Sequence, residues 1–368
     1  MNPEPGLYVH VPFCSAICPY CDFAVTLGVP SRTDRFAKRL IQEIVLRGTP
    51  SRPFDTLYFG GGTPSLLEPE AIAEMVAALR SRGWLRRDCR LFLEANPEDQ
   101  SRFPGFRQAG VHTLSLGVQS FDDDSLRFLG RRHSAEDSRH AIRLAGEAGF
   151  ETVSVDLIYG LSGQSADRWR LELEQLAKLP VDHVSCYQLT IHEKTMFARR
   201  KVEEQPEPAQ AELFRVTHRA LADLGFEGYE VSNFARSPSN RSAHNEKYWS
   251  HAPYLGLGPS AHSFAGRNRF WNERSFFDWE KRLASDELPV AGGESLDDAA
   301  LALETLMLRL RTRRGLDLCA YERRFGVDLR ERSSRAVGDG LLAVDEGWLR
   351  PTLDGLAVAD RLAVSLSQ

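Results

Sequence analysis

The chain has 368 residues, 42% of them hydrophobic, and a formal net charge of −5. That is enough apolar material for two domains or one large domain with an appendage, and the acidic balance argues against general nucleic-acid binding. No apolar run is long enough to span a bilayer, and the N-terminus lacks the basic and apolar regions of a secretory signal, so a cytoplasmic location is expected.

Six short apolar runs, Leu7–Val11, Thr56–Phe59, Arg90–Glu94, Thr113–Val118, Thr152–Ile158 and His183–Leu189, alternate with longer segments. Those segments, Thr33–Arg47, Pro69–Arg80, Ala135–Ala148 and Ala166–Lys178, carry apolar residues at helical spacing. Strand–helix alternation predicts a parallel sheet buried on both faces. The expected fold is therefore α/β, a partial (β/α)6 TIM-like barrel with a small C-terminal α+β domain. In such folds the chemistry sits at the C-terminal ends of the strands. Gly149 stands where a left-handed helix cap is expected, and Gly225 should stop a helix over Ala209–Leu224. Glu230 to Arg241 is polar and reads as a loop, and helical character returns over Ser295–Arg311. The tail from Gly315 reads as a winged-helix-like module. It has a helix around Leu318–Arg324 and a hairpin of Trp348–Arg350 with Leu356–Val358, joined through Asp354-Gly355. Lacking a concentrated basic helix, it is expected to act as a lid or docking domain. The expected division is a core barrel over 1–235, a connecting segment over 236–290 and a C-terminal domain over 291–368.

Of six cysteines, three lie in Phe13-Cys14-Ser15-Ala16-Ile17-Cys18-Pro19-Tyr20-Cys21-Asp22-Phe23, spaced C-x3-C-x2-C just after the first run. Three close thiolates can hold three corners of a 4Fe–4S cluster and leave the fourth iron open. The alternatives are unrelated cysteines or a zinc site lacking one ligand. Cys186 alternates with apolar residues and is expected to be a small buried hydrophobe. Gly60-Gly61-Gly62-Thr63-Pro64 follows the second run, where glycines let backbone N–H groups approach a ligand closely. The bland reading is a tight strand-to-helix turn. Glu94 ends the third run, and a carboxylate there can accept from ribose hydroxyls or an ammonium group, or simply be solvated. Gln119 ends the fourth run. Arg131 can bind a carboxylate bidentately, and on chemistry alone Arg132 is an equal choice. Asp156 interrupts an apolar strand, and a charge there is costly unless it is paired or faces a site.

The cysteine spacing with its aromatic follower resembles the radical S-adenosylmethionine (radical SAM) superfamily. In that family the open iron chelates the methionine moiety, and one electron cleaves the sulfonium to a 5′-deoxyadenosyl radical. Together the motifs resemble the branch that holds oxygen-independent coproporphyrinogen oxidases and HemW-type heme chaperones, from Tyr8-Val9-His10-Val11-Pro12-Phe13-Cys14 through the tail. The resemblance implies cluster ligation by Cys14, Cys18 and Cys21. It implies S-adenosylmethionine contacts at Tyr8, Gly61, Gly62, Thr63, Glu94, Gln119, Arg131 and Asp156. In the oxidase, several of these positions serve a second S-adenosylmethionine.

Two features divide the branch. The oxidases resemble C-x3-C-x2-C-x-C, where this chain has Phe23, and carry a longer N-terminal extension, where only thirteen residues precede Cys14 here. His244-Asn245-Glu246-Lys247-Tyr248-Trp249 matches the HNxxYW pattern of the HemW type. Neutral imidazole suits heme iron, Tyr248 and Trp249 offer flat faces, and Lys247 can meet a propionate. The other reading of His244 is a structural hydrogen-bonder, with His251 and His262 close enough in sequence to ligate instead. The resemblance thus implies a heme chaperone holding a 4Fe–4S cluster, S-adenosylmethionine and heme. It would pass heme to respiratory hemoproteins without oxidising coproporphyrinogen. A heme donor or bacterioferritin-like protein is a further implied partner, nucleic acid is not, and membrane contact would be peripheral at the inner face. The enzymatic alternatives are an oxygen-independent coproporphyrinogen III oxidase or a radical SAM enzyme of other specificity.

Overall fold

The computed structural model describes residues 4–368, so the first three residues of the expected core barrel lie outside it. The six apolar runs form β1 (Gly6–Val11), β2 (Phe54–Gly61), β3 (Leu85–Ala95), β4 (Thr113–Gln119), β5 (Thr152–Tyr159) and β6 (His183–Gln188). Each pairs in parallel with the next, within one open twelve-stranded sheet. Beyond β1, Tyr254–Leu257 adds in parallel, and His262–Ala265, Asn268–Asn272 and Val290–Ser295 follow antiparallel. Beyond β6, Asn233–Ala235 and Glu227–Gly228 add antiparallel. The α/β partial-barrel expectation therefore holds, and part of the segment read as a connector extends the sheet.

The two-residue period of the strands decides what faces where. Leu7, Val9, Val11, Leu57, Phe59, Leu93, Leu116, Val155 and Cys186 join one apolar cluster with Phe36, Leu40 and Ile44 of the helix Pro30–Arg47. Burying each such side chain contributes roughly 1.5–3 kcal/mol. The alternate positions, His10, Tyr58, Glu94, Ser115, Asp156 and Ser185, take the opposite face, so the concave interior is polar.

Three expectations are corrected. The polar stretch Glu230–Arg241 contains the strand Asn233–Ala235, paired on both sides near the end of the sheet. It can be buried because Asn233 Nδ2 donates to the buried Glu230 carboxylate at 2.7 Å. The glycine-rich stretch Gly256–Ser263, read as a loop, begins and ends in strands. A Cβ at Gly256 would stand 2.2 Å from the His262 carbonyl oxygen, so glycine is what lets these strands meet. In the tail, Trp348–Pro351 pairs with Leu342–Asp345 rather than with Leu356–Val358. Glu346 and Gly347 turn that hairpin at φ 47° and 82°. Leu353–Leu356 is helical instead, with Thr352 Oγ1 accepting the Gly355 N–H at 3.1 Å. The tail packs around its own apolar cluster, including Leu306, Tyr321, Leu349 and Leu362. Among the described residues no helix is long and apolar enough to cross a membrane.

One fully buried carboxylate fastens the sheet extension to the first helix. Glu43 accepts from Arg47 Nη2 (2.8 Å), Trp279 Nε1 (2.9 Å), Asn272 Nδ2 (2.8 Å) and the Gly258 N–H (2.9 Å). Removing it would leave the Trp279 indole and the Gly258 N–H without an acceptor, and the buried Arg47 guanidinium with only the neutral Asn272 Oδ1. Glu43→Ala is expected to cost about 3–5 kcal/mol in denaturant unfolding; a loss below about 1 kcal/mol would mean that water replaces the carboxylate.

Candidate functional site

The C-terminal ends of the strands open onto a cavity of about 420 Å³. The cysteine loop leaves β1 and crosses this end. Backbone bonds hold its base: Thr26 N–H to Pro12 O (2.7 Å) and Gly28 N–H to Cys14 O (2.9 Å). The glycine run at the end of β2 grips the same base, with Gly62 N–H on Val11 O (2.8 Å) and Thr63 N–H on Phe13 O (2.7 Å). Gly61 has φ 111°, and a Cβ there would meet the His10 ring at 2.5 Å; one at Gly62 would meet Phe13 O at 2.6 Å. Glycine is required at both positions by contact, and at Gly61 by conformation as well.

Cys14, Cys18 and Cys21 all line the cavity, together with Gly61, Gly62, Thr63, Glu94, Gln119, Arg131 and Asp156. Burial raises the Cys14 thiol to about 11, opposed by Thr63, whose Oγ1 lies 3.7 Å from the sulfur. Arg131 Nη1 approaches Cys18 Sγ at 3.5 Å. Glu94 Oε2 accepts the Gly61 N–H (3.0 Å), and Oε1 accepts Tyr58 O–H (2.9 Å). Burial, then the neighbouring Asp156, pushes Glu94 up to about 7. Burial pushes Asp156 up to about 6, while Ser115 donates to its carboxylate at 3.3 Å. Among the described residues no basic side chain is bonded to either carboxylate, so a cationic ligand would relieve both.

Arg131 is oriented by Asn96 and by β4: its Nη2 donates to Asn96 Oδ1 (2.6 Å) and Gly117 O (3.0 Å). Its Nε is buried without a partner. Asn96 Nδ2 also donates to Thr63 Oγ1 at 3.3 Å, so one amide positions two candidate contacts. Gln119 stands at φ 67° where the β4–β5 register shifts, which turns its side chain toward the cavity. Sequence reasoning missed Asn96, Tyr58 and Ser115. Asn96 carried a signal, since it precedes Pro97 directly after a strand. Arg132 also reaches the cavity but is exposed, whereas Arg131 is partly buried.

Tyr8 and His244 are not among the cavity-lining residues. Tyr8 donates its hydroxyl to His10 Nδ1 (3.1 Å), and His10 Nε2 donates to Ala24 O in the cysteine loop (3.0 Å). Tyr8 therefore acts through His10 on the loop. His244 is buried, with both ring nitrogens hydrogen-bonded, Nδ1 to Thr56 Oγ1 (2.9 Å) and Nε2 to Tyr248 O–H (2.9 Å). Burial and Lys247 push its imidazole down to about 3, so it is neutral. The expected heme ligation by His244 meets a ring with no free lone pair or open face. Ligation would require it to abandon both partners.

Three cysteine thiols at one cavity are soft donors of the kind that iron–sulfur clusters use. Among the described residues no group of three or more His, Cys, Asp or Glu side chains converges tightly enough to hold one metal ion. A cubane spreads its thiolates over separate corners. The unpaired carboxylates and the partnerless Arg131 Nε match a ligand carrying both ammonium and carboxylate groups.

The chain matches the Radical SAM superfamily over residues 8–176 and the HemN C-terminal domain over residues 296–358. It is 36% identical to heme chaperone HemW of Mycobacterium tuberculosis, covering 98% of this chain and 94% of that one. It is 34% identical to mitochondrial radical S-adenosyl methionine domain-containing protein 1 of Bos taurus, covering 99% and 89%. The fold is that of coproporphyrinogen III oxidase (HemN) from Escherichia coli, with a TM-score of 0.85 at 22% identity over 99% and 90% of the two chains.

The raised carboxyls set a pH dependence. With Glu94 near 7 when folded and near 4.5 when unfolded, the folded state holds a proton that the unfolded chain has released between those values. Stability of the ligand-free protein is therefore fullest below about pH 4.5 in this respect and falls as pH rises toward 7. Glu94→Gln fixes a neutral side chain, and between pH 4.5 and 8 its stability relative to wild type should improve by about 3 kcal/mol. Denaturant unfolding at the two pH values checks this, and a shift of opposite sign would mean that Glu94 is paired with a cation when folded.

Proposed function

The chain belongs to the HemW family within the radical SAM superfamily, and from that premise we propose that it is a heme chaperone. It would bind a 4Fe–4S cluster and S-adenosylmethionine at the cavity, hold heme, and pass it to respiratory hemoproteins. The observation that carries this reading is near-full-length relationship to a protein named heme chaperone HemW. Phe23, standing where the oxidases have a fourth cysteine, points the same way.

Cys14, Cys18 and Cys21 would hold the cluster. The backbone at Gly61–Thr63 and the Glu94 and Asp156 carboxylates would receive the cationic end of the S-adenosylmethionine, and Arg131 its carboxylate. When bound, the pair supplies one-electron chemistry at a sulfonium. The protein's part is to place that sulfonium, to keep two acids close to it in a shielded pocket, and to fix Arg131 through Asn96.

Anaerobic reconstitution, with iron, sulfide and heme quantified on one sample, tests the reading. Expected are an iron–sulfur cluster, one heme on titration, transfer of that heme to an apo-hemoprotein, and no conversion of coproporphyrinogen. Turnover to protoporphyrinogen would replace the chaperone reading with the oxidase. Cys18→Ser should abolish the iron–sulfur absorbance; retained absorbance would refute the ligand assignment.

A further inference from the structure

We propose that heme docks on the rim of the cysteine cavity and that His192 supplies its axial imidazole; this rests on the heme-binding reading above. The ten histidines of the chain all fall within the described residues, and His192 alone borders the cavity. Five others have both ring nitrogens in hydrogen bonds: His10, His133, His183, His244 and His251. His112 accepts the Leu91 N–H, and His218 Nε2 bonds Val231 O. His140 lies on the helix Ala135–Glu147, and His262 packs on Trp271; neither reaches the cavity.

The His192 side chain is 54% exposed, and its ring makes no hydrogen bond among the described residues. Its Nε2 stands 3.8 Å from the Asp22 carboxylate. That carboxylate is within reach of the ring N–H that iron ligation leaves over, the partner that fixes a tautomer and strengthens an imidazole ligand. Around it the rim is apolar and uncovered: Phe23 is 65% exposed and Ile17 53%. Large apolar side chains displayed together at a cavity mouth mark a binding surface, and flat rings suit a porphyrin face. Arg132 lies on the same cavity, exposed and without an ion-pair partner among the described residues, and is free for a propionate.

The loop that carries His192 is not loose. Phe197 N–H donates to Pro19 O at 2.9 Å, and the Phe197 ring packs on Tyr20 and Phe128. The loop is thereby fastened to the cysteine loop, and an imidazole on it stays at the mouth. An exposed imidazole beside exposed apolar side chains suits a cargo that must leave again.

The test uses the full-length, anaerobically reconstituted protein titrated with ferric heme and followed by its Soret band. Resonance Raman spectroscopy reads the axial ligand, and iron and sulfide are assayed in parallel. His192→Ala should weaken heme binding at least tenfold and lose the imidazole signature, with iron–sulfur content unchanged. Added free imidazole should restore the signature. His140→Ala, altering an exposed histidine away from the cavity, should bind heme as wild type does. Wild-type affinity and an unchanged ligand signature in His192→Ala would overturn the His192 site while leaving the chaperone reading intact. Failure of the wild type to take up heme at all would overturn that reading and the site with it.

Discussion

Two backbone hydrogen bonds carry the site: Gly62 N–H to Val11 O and Thr63 N–H to Phe13 O. They join the end of β2 to the start of the cysteine loop with no side chain between, because neither Gly61 nor Gly62 has room for a Cβ. The loop is thus located by the sheet rather than by its own sequence. Its three sulfurs need make no structural contact to hold the loop in place, and they face the cavity. His10 adds a third anchor by donating to Ala24 O where the loop returns. A loop fixed at both ends by main chain and left free in its side chains suits a preorganised ligand site.

The same sheet sets the electrostatics. Strand alternation places apolar side chains against the helices and polar ones inward, so two carboxylates from different strands are brought to one pocket. Neither Glu94 nor Asp156 has a cation bonded to it, and both rise toward neutrality. Their burial costs stability that a cationic ligand would return, and strain of this kind is characteristic of binding sites rather than of structural ion pairs. Glu43 is the contrast within one molecule. It is also buried, but Arg47 and three further donors satisfy it, and it serves only to lock the sheet extension to the first helix.

Much of this was legible in the sequence because the relevant signals are local. The period-two runs gave β1 to β6, the helical periods gave the intervening helices, and Asp156 was marked by its place among apolar neighbours. What was not legible depends on partners far along the chain. Asn233 looks like a loop residue until Glu230 folds beneath it, and Gly256 looks like a loop glycine until the His262 backbone closes on it. The tail hairpin was displaced because Asp354-Gly355 is a strong turn signal, while Thr352 quietly caps a helical turn there and Glu346-Gly347 makes the reversal. Asn96 and Tyr58 orient Arg131 and Glu94, but nothing in their own neighbourhood records the partner each one holds.

His244, the heme ligand that the motif implies, has a full set of partners in the ligand-free structure. Histidine beside tyrosine and tryptophan reads as a heme pocket, yet the ring stacks on Tyr58 with centroids 5.1 Å apart. Tyr58 in turn donates to Glu94, and Tyr8 stacks on its other neighbourly side at 6.2 Å. The helix Ala243–Trp249 therefore braces, from below, the tyrosine that holds the acid at the mouth of β3. Ser242 caps that helix by accepting the Asn245 N–H at 3.3 Å, and Asn245 borders a small polar pocket that also touches Glu94 and Asp156. Aromatic rings and an imidazole at this spacing are explained by one requirement: a buried carboxylate is kept in place from behind without a counter-charge that would compete with its ligand.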